Sequence, residues 1–309
     1  MKFLRLSLIF CIFTFGFSAT AQTFLGNFEE IQSETDNEIT LRTSNGLVKI
    51  EFISTDAARI RTSWNGEFAE NEPWMVVRYD WPQVNYNKKE NEQELEFSTD
   101  KIQLKISKKP FAISILDRNG KVLLEEHKDT NYSSSYTSSE HTGTTFKLQP
   151  DEHFFGFGER MDFLDRRGKK LRLNVGRGQG LPHIIGAYNP LEANYSPVPF
   201  FMSTAGYGLF LHNAHPTNWD MGHSSNDTFS FNAEGGELDY YVMYGPDFST
   251  LLDIYTNITG KSPLLPKFAL GLHVGTYSGG TWGHEAETST QYVIDLTKKF
   301  RTLGIPLDV

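Results

Sequence analysis

Glu159, closing the run Phe154-Phe155-Gly156-Phe157-Gly158-Glu159, is the residue that most invites reading as a general acid, and His212, His215 and His223 invite reading as metal ligands. Glycines flank the approach to Glu159 and permit a tight backbone there. His212 and His215 fall where a strand runs into a loop, with no carboxylate at the fixed spacing of a zinc site, and are expected to be ordinary polar histidines. There is no Gly-x-Ser-x-Gly elbow, and Cys11 is the single cysteine, so no Ser-His-Asp or Cys-His nucleophile is identifiable. Val175-Gly176-Arg177-Gly178-Gln179-Gly180 is glycine-rich but lacks G-x-G-x-x-G spacing and a surrounding βαβ unit, which argues against a dinucleotide. No cofactor and no metal are expected.

From Arg160 to Arg177 seven basic residues stand against only Asp162 and Asp165. Two readings stay open. One is contact with an anionic sugar; the other is a solvated face or an inter-domain anchor.

The elements that would carry these residues are mostly strands. From about Thr23 to Tyr244 short alternating segments such as Leu47–Phe52, Ile102–Ile106 and Phe111–Leu116 are separated by turn signals, the pattern of a β-sandwich. Ser44-Asn45-Gly46, Trp64-Asn65-Gly66 and Arg118-Asn119-Gly120 predict tight hairpins. The Ser/Thr-rich stretch from Asn131 to Thr145 predicts a surface loop. Near Asp247 the period lengthens to about 3.6 residues, and Phe248, Leu251, Leu252, Tyr255 and Ile258 predict one face of a helix. Pro263 to Pro266 reads as a linker, Phe268 to Tyr277 as a buried parallel strand, and Glu285 to Leu303 as a helix with Tyr292, Val293, Leu296, Phe300 and Leu303 on one side. Ile305 to Val309 would open a second strand.

Residues 1–21 read as a cleaved signal peptide: Lys2 and Arg5 precede an apolar run from Leu6 to Phe17 and a small-residue stretch, Ser18 to Ala21. The run is too short to span a bilayer, which takes about 20 residues. The expected location is periplasmic or secreted. Without Lys2 and Arg5, 27 basic residues face 38 acidic ones, a net charge of −11 that argues against nucleic acid or an anionic membrane as partner. A carbohydrate substrate suits this surface better. Aromatic residues are 14% of the chain and serve a β core and a sugar-stacking surface alike, so position must identify any stacking residue.

Four blocks make the chain resemble glycoside hydrolase family 31. They are Phe154 to Arg160 followed by Leu164 to Lys169; Val198-Pro199-Phe200-Phe201-Met202-Ser203 leading to Gly206 through Asn213; Pro263 to Gly271; and Gly304 to Val309. The resemblance implies a mainly β fold, a galactose-mutarotase-like β-sandwich (22–247), then a helix and linker (248–266) and the first βαβ of a truncated (β/α)8 barrel (267–309). It also implies a retaining α-glycosidase of the α-glucosidase, α-xylosidase or sulfoquinovosidase kind, whose two carboxyl groups stand about 5–5.5 Å apart on later barrel strands. The resemblance also places the Glu159 motif on the sandwich side, as a hydrogen-bonded structural carboxylate; no catalytic residue is expected within these residues, and a fragment inactive on its own is predicted.

The same resemblance places a sandwich loop near Asn174 to Tyr195 over the mouth of the barrel, which makes Arg177, Gln179 and His183 candidate sugar contacts. The family's Asn and Asp are replaced there by Asn174-Val175-Gly176-Arg177-Gly178, which weakens the match to an ordinary α-glucosidase. Tyr277, at the C-terminal end of the first barrel strand, is the leading substrate-facing residue, with Trp282 as an alternative stacking partner. Outside hydrolysis, a carbohydrate-binding sandwich without chemistry remains open; an aldose mutarotase would need a His/Glu pair that spacing does not reveal.

Overall fold

The computed structural model describes residues 21–72, 74–129, 132–176, 194–274 and 286–309. They form two compact units, the first running to Thr259 and the second comprising Gly260–Val309. No helix among them is long and apolar enough to cross a membrane. The expected signal peptide lies, up to residue 20, outside the described residues.

The first unit is a β-sandwich. One layer is an eight-stranded antiparallel sheet in the order Phe154–Glu159, Ser196–Ser203, Tyr207–Leu211, Leu238–Tyr244, Ala57–Ser63, Gly46–Ser54, Glu38–Thr43, Phe28–Glu34. The other layer joins a five-stranded sheet, Asn87–Glu90 to Val122–Glu125, and a six-stranded sheet that includes Thr142–Lys147, Thr228–Ala233, Thr217–Asp220 and Lys170–Leu173. The alternation visible in the sequence supplies the core between them. Val48, Ile50 and Phe52 face inward from the large sheet, Leu104, Ile106 and Phe111 from the five-stranded one, and Phe146, Trp219 and Phe229 from the six-stranded one.

The large sheet is covered on its outer face too. The helix Phe248–Thr259 and the segment from Met75 to Trp81 lie against Ile53, Ala57, Phe200, Phe210, Tyr241 and Met243. Tyr255 stacks on Phe200 with ring centres 3.9 Å apart, and the Val77 amide donates to the Ile258 carbonyl at 3.0 Å. Every residue of Ala57–Ser63 is therefore buried. Of the predicted helix face, Phe248, Leu251, Tyr255 and Ile258 pack and Leu252 is exposed, its place taken by Ile254.

Several expectations are corrected. Asn45 and Asn119 do occupy hairpin turns, but Trp64-Asn65-Gly66 leads into the long irregular segment that covers the outer face, because Glu67 turns back to accept from Ser63 Oγ. The Ser/Thr-rich stretch is not a surface loop in its described part. Ser133, Ser135, Thr142 and Thr144 are buried, and Ser135 and Thr144 donate to the fully enclosed Glu126 carboxyl at 2.8 and 3.2 Å. Burial, countered by the Ile113 amide and these hydroxyls, leaves the Glu126 pKa raised.

In the second unit the predicted strand from Phe268 begins instead as a 3-10 turn, Lys267–Leu270, entered from the extended Pro266. Among the described residues, pairing joins Leu272 and Val274 to Asp308 and Val309, and Phe268 and Leu270 are exposed. A parallel strand is stable when buried on both faces, and the exposed Phe268 and Leu270 lack that cover. The helix Ala286–Thr302 does set Tyr292, Val293, Leu296 and Phe300 along one apolar cavity with Val274, Leu307 and Val309. Leu303 does not join them.

The glycines of the Phe154–Glu159 strand give a test. Gly158 has φ +80°, and a Cβ there would overlap the Ser196 carbonyl oxygen, whereas Gly168, φ +72°, has open space around it. Gly168→Ala should cost about 1–2 kcal/mol from backbone conformation alone. Gly158→Ala adds overpacking and should cost about 3 kcal/mol or more in urea unfolding.

Candidate functional site

Two polar clusters on the sandwich are positioned by the backbone around them. The first sits at the stem of the segment expected to reach over a barrel mouth. In the Phe154–Glu159 strand the register with Ser196–Ser203 slips between Gly156 and Gly158, and Phe157 takes φ +73°. A bulky residue is rarely left-handed. Phe157 is held so by burial, stacking on Phe201 at 5.6 Å and meeting Trp219 edge-on at 5.1 Å. Such an irregularity re-aims the strand.

Glu159 is consequently exposed rather than anchored, and Arg160 turns inward. The Arg160 guanidinium grips both oxygens of Asp162, at 3.1 and 2.6–2.9 Å, and donates to the Asn194 side-chain oxygen; Arg166 closes on Asp162 from the other side. Burial would raise the Asp162 pKa, but the hydrogen bonds and charges of Arg160 and Arg166 outweigh it and hold it below the usual carboxylate value. Asn194 in turn donates to the Arg172 carbonyl at 3.1 Å and exchanges backbone hydrogen bonds with Gly176 at 2.9 and 3.1 Å. Gly176 and Asn194, the described residues on either side of 177–193, are thus held as one clamped pair.

Arg177, Gln179 and His183 belong to that segment, and they, with Tyr277 and Trp282, lie outside the described residues. The six described members of the basic run all have partners. Besides Arg160 and Arg166, Arg167 donates to the Gln149 and Glu152 carbonyls, Lys169 sits 3.9 Å from the Phe163 ring centre, Lys170 pairs with Asp220 at 3.6 Å, and Arg172 pairs with Glu234. The Arg160 and Arg166 side chains are buried in this arrangement, whereas Lys170 and Arg172 make their pairs at the surface.

The second cluster was not legible as a site. On the outer face of the large sheet Arg61 stands opposite Asp239 and Arg59 opposite Tyr241. Arg59 clasps Asp239 in a two-pronged pair, Nε to Oδ1 at 2.9 Å and Nη2 to Oδ2 at 2.7 Å, with both side chains almost wholly buried. Its third nitrogen donates to Asn71 Oδ1 at 2.8 Å and lies 3.6 Å from Glu51. Arg61 bonds Glu237 at 2.6 and 2.8 Å and the Ala69 carbonyl at 2.7 Å. His212 Nδ1 lies 2.9 Å from Asp239 and Nε2 lies 3.4 Å from the Tyr79 hydroxyl.

Burial pushes the Asp239 pKa up, yet the hydrogen bonds from Arg59 and His212 and the Arg59 charge prevail, and it is lowered. An ionised Asp239 only accepts, so His212 carries its proton on Nδ1. No group of three His, Cys, Asp or Glu that could hold a metal exists among the described residues. His215 is exposed, and His223 Nδ1 lies 3.2 Å from the Gly168 carbonyl. The signal that could have found the cluster is Arg59-x-Arg61 and Glu237-x-Asp239, like-charged pairs two apart in strand segments that are otherwise largely apolar.

The family model for the glycosyl hydrolase 31 N-terminal galactose mutarotase-like domain matches residues 47–220. Alpha-glucosidase 2 of Bacillus thermoamyloliquefaciens is 31% identical over 290 residues, 92% of this chain and 34% of that protein. An alpha-xylosidase of Saccharolobus solfataricus is 25% identical over 87% of this chain and 35% of its own length. Among solved structures, a Flavobacterium johnsoniae GH31 dextranase mutant complexed with isomaltotriose superposes with a TM-score of 0.79 at 27% identity, covering 92% of this chain and 33% of that one. The chain spans about a third of the length of these relatives.

Asp239→Asn should destabilise the sandwich by about 3–5 kcal/mol at neutral pH, since it strands a buried guanidinium. A lowered folded pKa gives stability that is present above the unfolded carboxyl value, about 3.9, and is lost as pH falls through the folded value. Urea titrations from pH 7 to 3 should show the gap between wild type and variant narrowing on the acid side.

Proposed function

The chain belongs to the glycosyl hydrolase 31 family, and from that premise we propose that it is the sandwich-bearing part of an exported retaining α-glycosidase that hydrolyses O-glycosidic bonds of carbohydrates. Supporting this reading most is its collinearity with an α-glucosidase over 92% of its length. The two carboxyl groups that such hydrolysis needs belong to barrel strands beyond Val309, and the 309 residues alone are inactive. In the assembled enzyme Arg177, Gln179 and His183 contact sugar from the clamped segment, and Tyr277 or Trp282 stacks against the innermost ring. Residues 1–21 direct export.

An anionic, sulfoquinovose-like substrate receives less support. Six of the seven basic residues that prompted it already have partners within the sandwich, and the Arg160 and Arg166 side chains are buried there.

The test is expression of the whole open reading frame that contains this sequence, assayed with 4-nitrophenyl α-glucoside, α-xyloside and α-sulfoquinovoside. Release from the glucoside or xyloside, with retention at the anomeric carbon by NMR, is expected. Absence of release from every α-glycoside would overturn the reading. Turnover by residues 22–309 alone would show that the catalytic carboxylates lie among them.

A further inference from the structure

A cavity of about 230 Å3 opens on the outer face of the large sheet, between the Ala69–Met75 strap and the turns at His212–His215 and Gly236–Glu237. Its floor is already satisfied. The Arg59 and Arg61 guanidiniums are spent on Asp239, Asn71, Glu237 and the Ala69 carbonyl, and Asn213 Nδ2 donates to the Gly235 and Glu237 carbonyls at 2.8 and 2.9 Å. The floor therefore holds the walls in place and offers a ligand little.

The rim is different. Glu70 and Glu72 project carboxylates that no hydrogen bond or ion pair engages among the described residues, and Trp74 presents its indole 83% exposed. His215 completes the rim, its backbone amide fixed by Asn213 Oδ1 at 2.8 Å. The imidazole has a place made for it, since a Cβ on Gly235 would come within 2.8 Å of the ring.

A flat, exposed indole beside unengaged acceptors is the chemistry of sugar recognition. The C–H face of a pyranose lies on the ring, and its hydroxyls donate to carboxylates. Charge excludes an anion, because four carboxylates (Glu70, Glu72, Glu237, Asp239) outnumber two guanidiniums. Size sets the length. The cavity falls below the roughly 300–1,000 Å3 of pockets that enclose drug-sized ligands, so one ring fits. An adjoining groove of about 240 Å3 shares Met75, Asn213 and His215 and continues toward Asn174 and Pro199, giving a second ring somewhere to lie.

We propose that this cavity binds a neutral saccharide, one ring between Trp74 and the Glu70, Glu72 and His215 side chains, and that it does so independently of hydrolysis. The experiment is titration of the 309-residue chain with isomaltotriose and with glucuronate, followed by calorimetry and tryptophan fluorescence. Saturable millimolar binding of isomaltotriose is expected, with glucuronate weaker. Trp74→Ala should weaken binding about tenfold or more and Glu72→Gln severalfold, both with an unchanged thermal midpoint, which the exposure of these side chains permits. Glu159→Gln, at an exposed carboxylate outside this cavity, should leave the affinity as it was. Binding that survives Trp74→Ala, binding that disappears with Glu159→Gln, or no saturation at all would each overturn the proposal.

Discussion

A sheet covered on both faces leaves its central strands no water, so the charges placed there must find one another. The large sheet meets the sandwich core on one side and the Phe248–Thr259 helix with the Met75–Trp81 segment on the other. Arg59 and Asp239 sit between these covers, and their two-pronged pairing fixes more than a contact. A one-residue slip of Ala57–Ser63 against Leu238–Tyr244 would carry both arginines into the hydrophobic core. The pair thus enforces register, and Arg59 through Asn71, with Arg61 through the Ala69 carbonyl, ties the irregular strap across the sheet. The cavity above lies where that strap meets the strands through hydrogen bonds to Asn71 and the Ala69 backbone rather than through apolar side chains.

The same economy of backbone appears at the sheet's edge. Two glycines let Phe154–Glu159 approach Ser196–Ser203 more closely than any side chain would allow, and a left-handed Phe157 turns the chain so that Arg160, not Glu159, faces inward. The acidic residue that draws the eye in the sequence is a bystander, and its basic neighbour organises Asp162, Arg166 and Asn194.

What the sequence made legible was whatever is local. Alternation located the strands, and Asn-Gly located turns where the next segment pairs back at once, as at Asn45 and Asn119. It misplaced Trp64-Asn65-Gly66, where tertiary cover takes the chain away from its neighbour. It misread Ser133 to Thr144, because hydroxyls that signal a loop can equally satisfy a buried carboxyl such as Glu126. The strand expected at Phe268 depended on a burial that the run of apolar residues cannot itself provide. The clasp of Arg59 on Asp239 spans 180 positions, and no spacing rule reaches so far.

The bridge between Gly176 and Asn194 bears on how such a protein diversifies. A segment whose two ends meet at a single hydrogen-bonded pair can lengthen or shorten with little penalty, since doubling a loop adds only about 0.6 kcal/mol of closure entropy. Among the described residues, what holds Gly176 beside Asn194 runs from Arg160 to the Arg172 carbonyl. The sandwich therefore offers a socket into which lineages can plug inserts of different length and chemistry while the strands beneath keep their register.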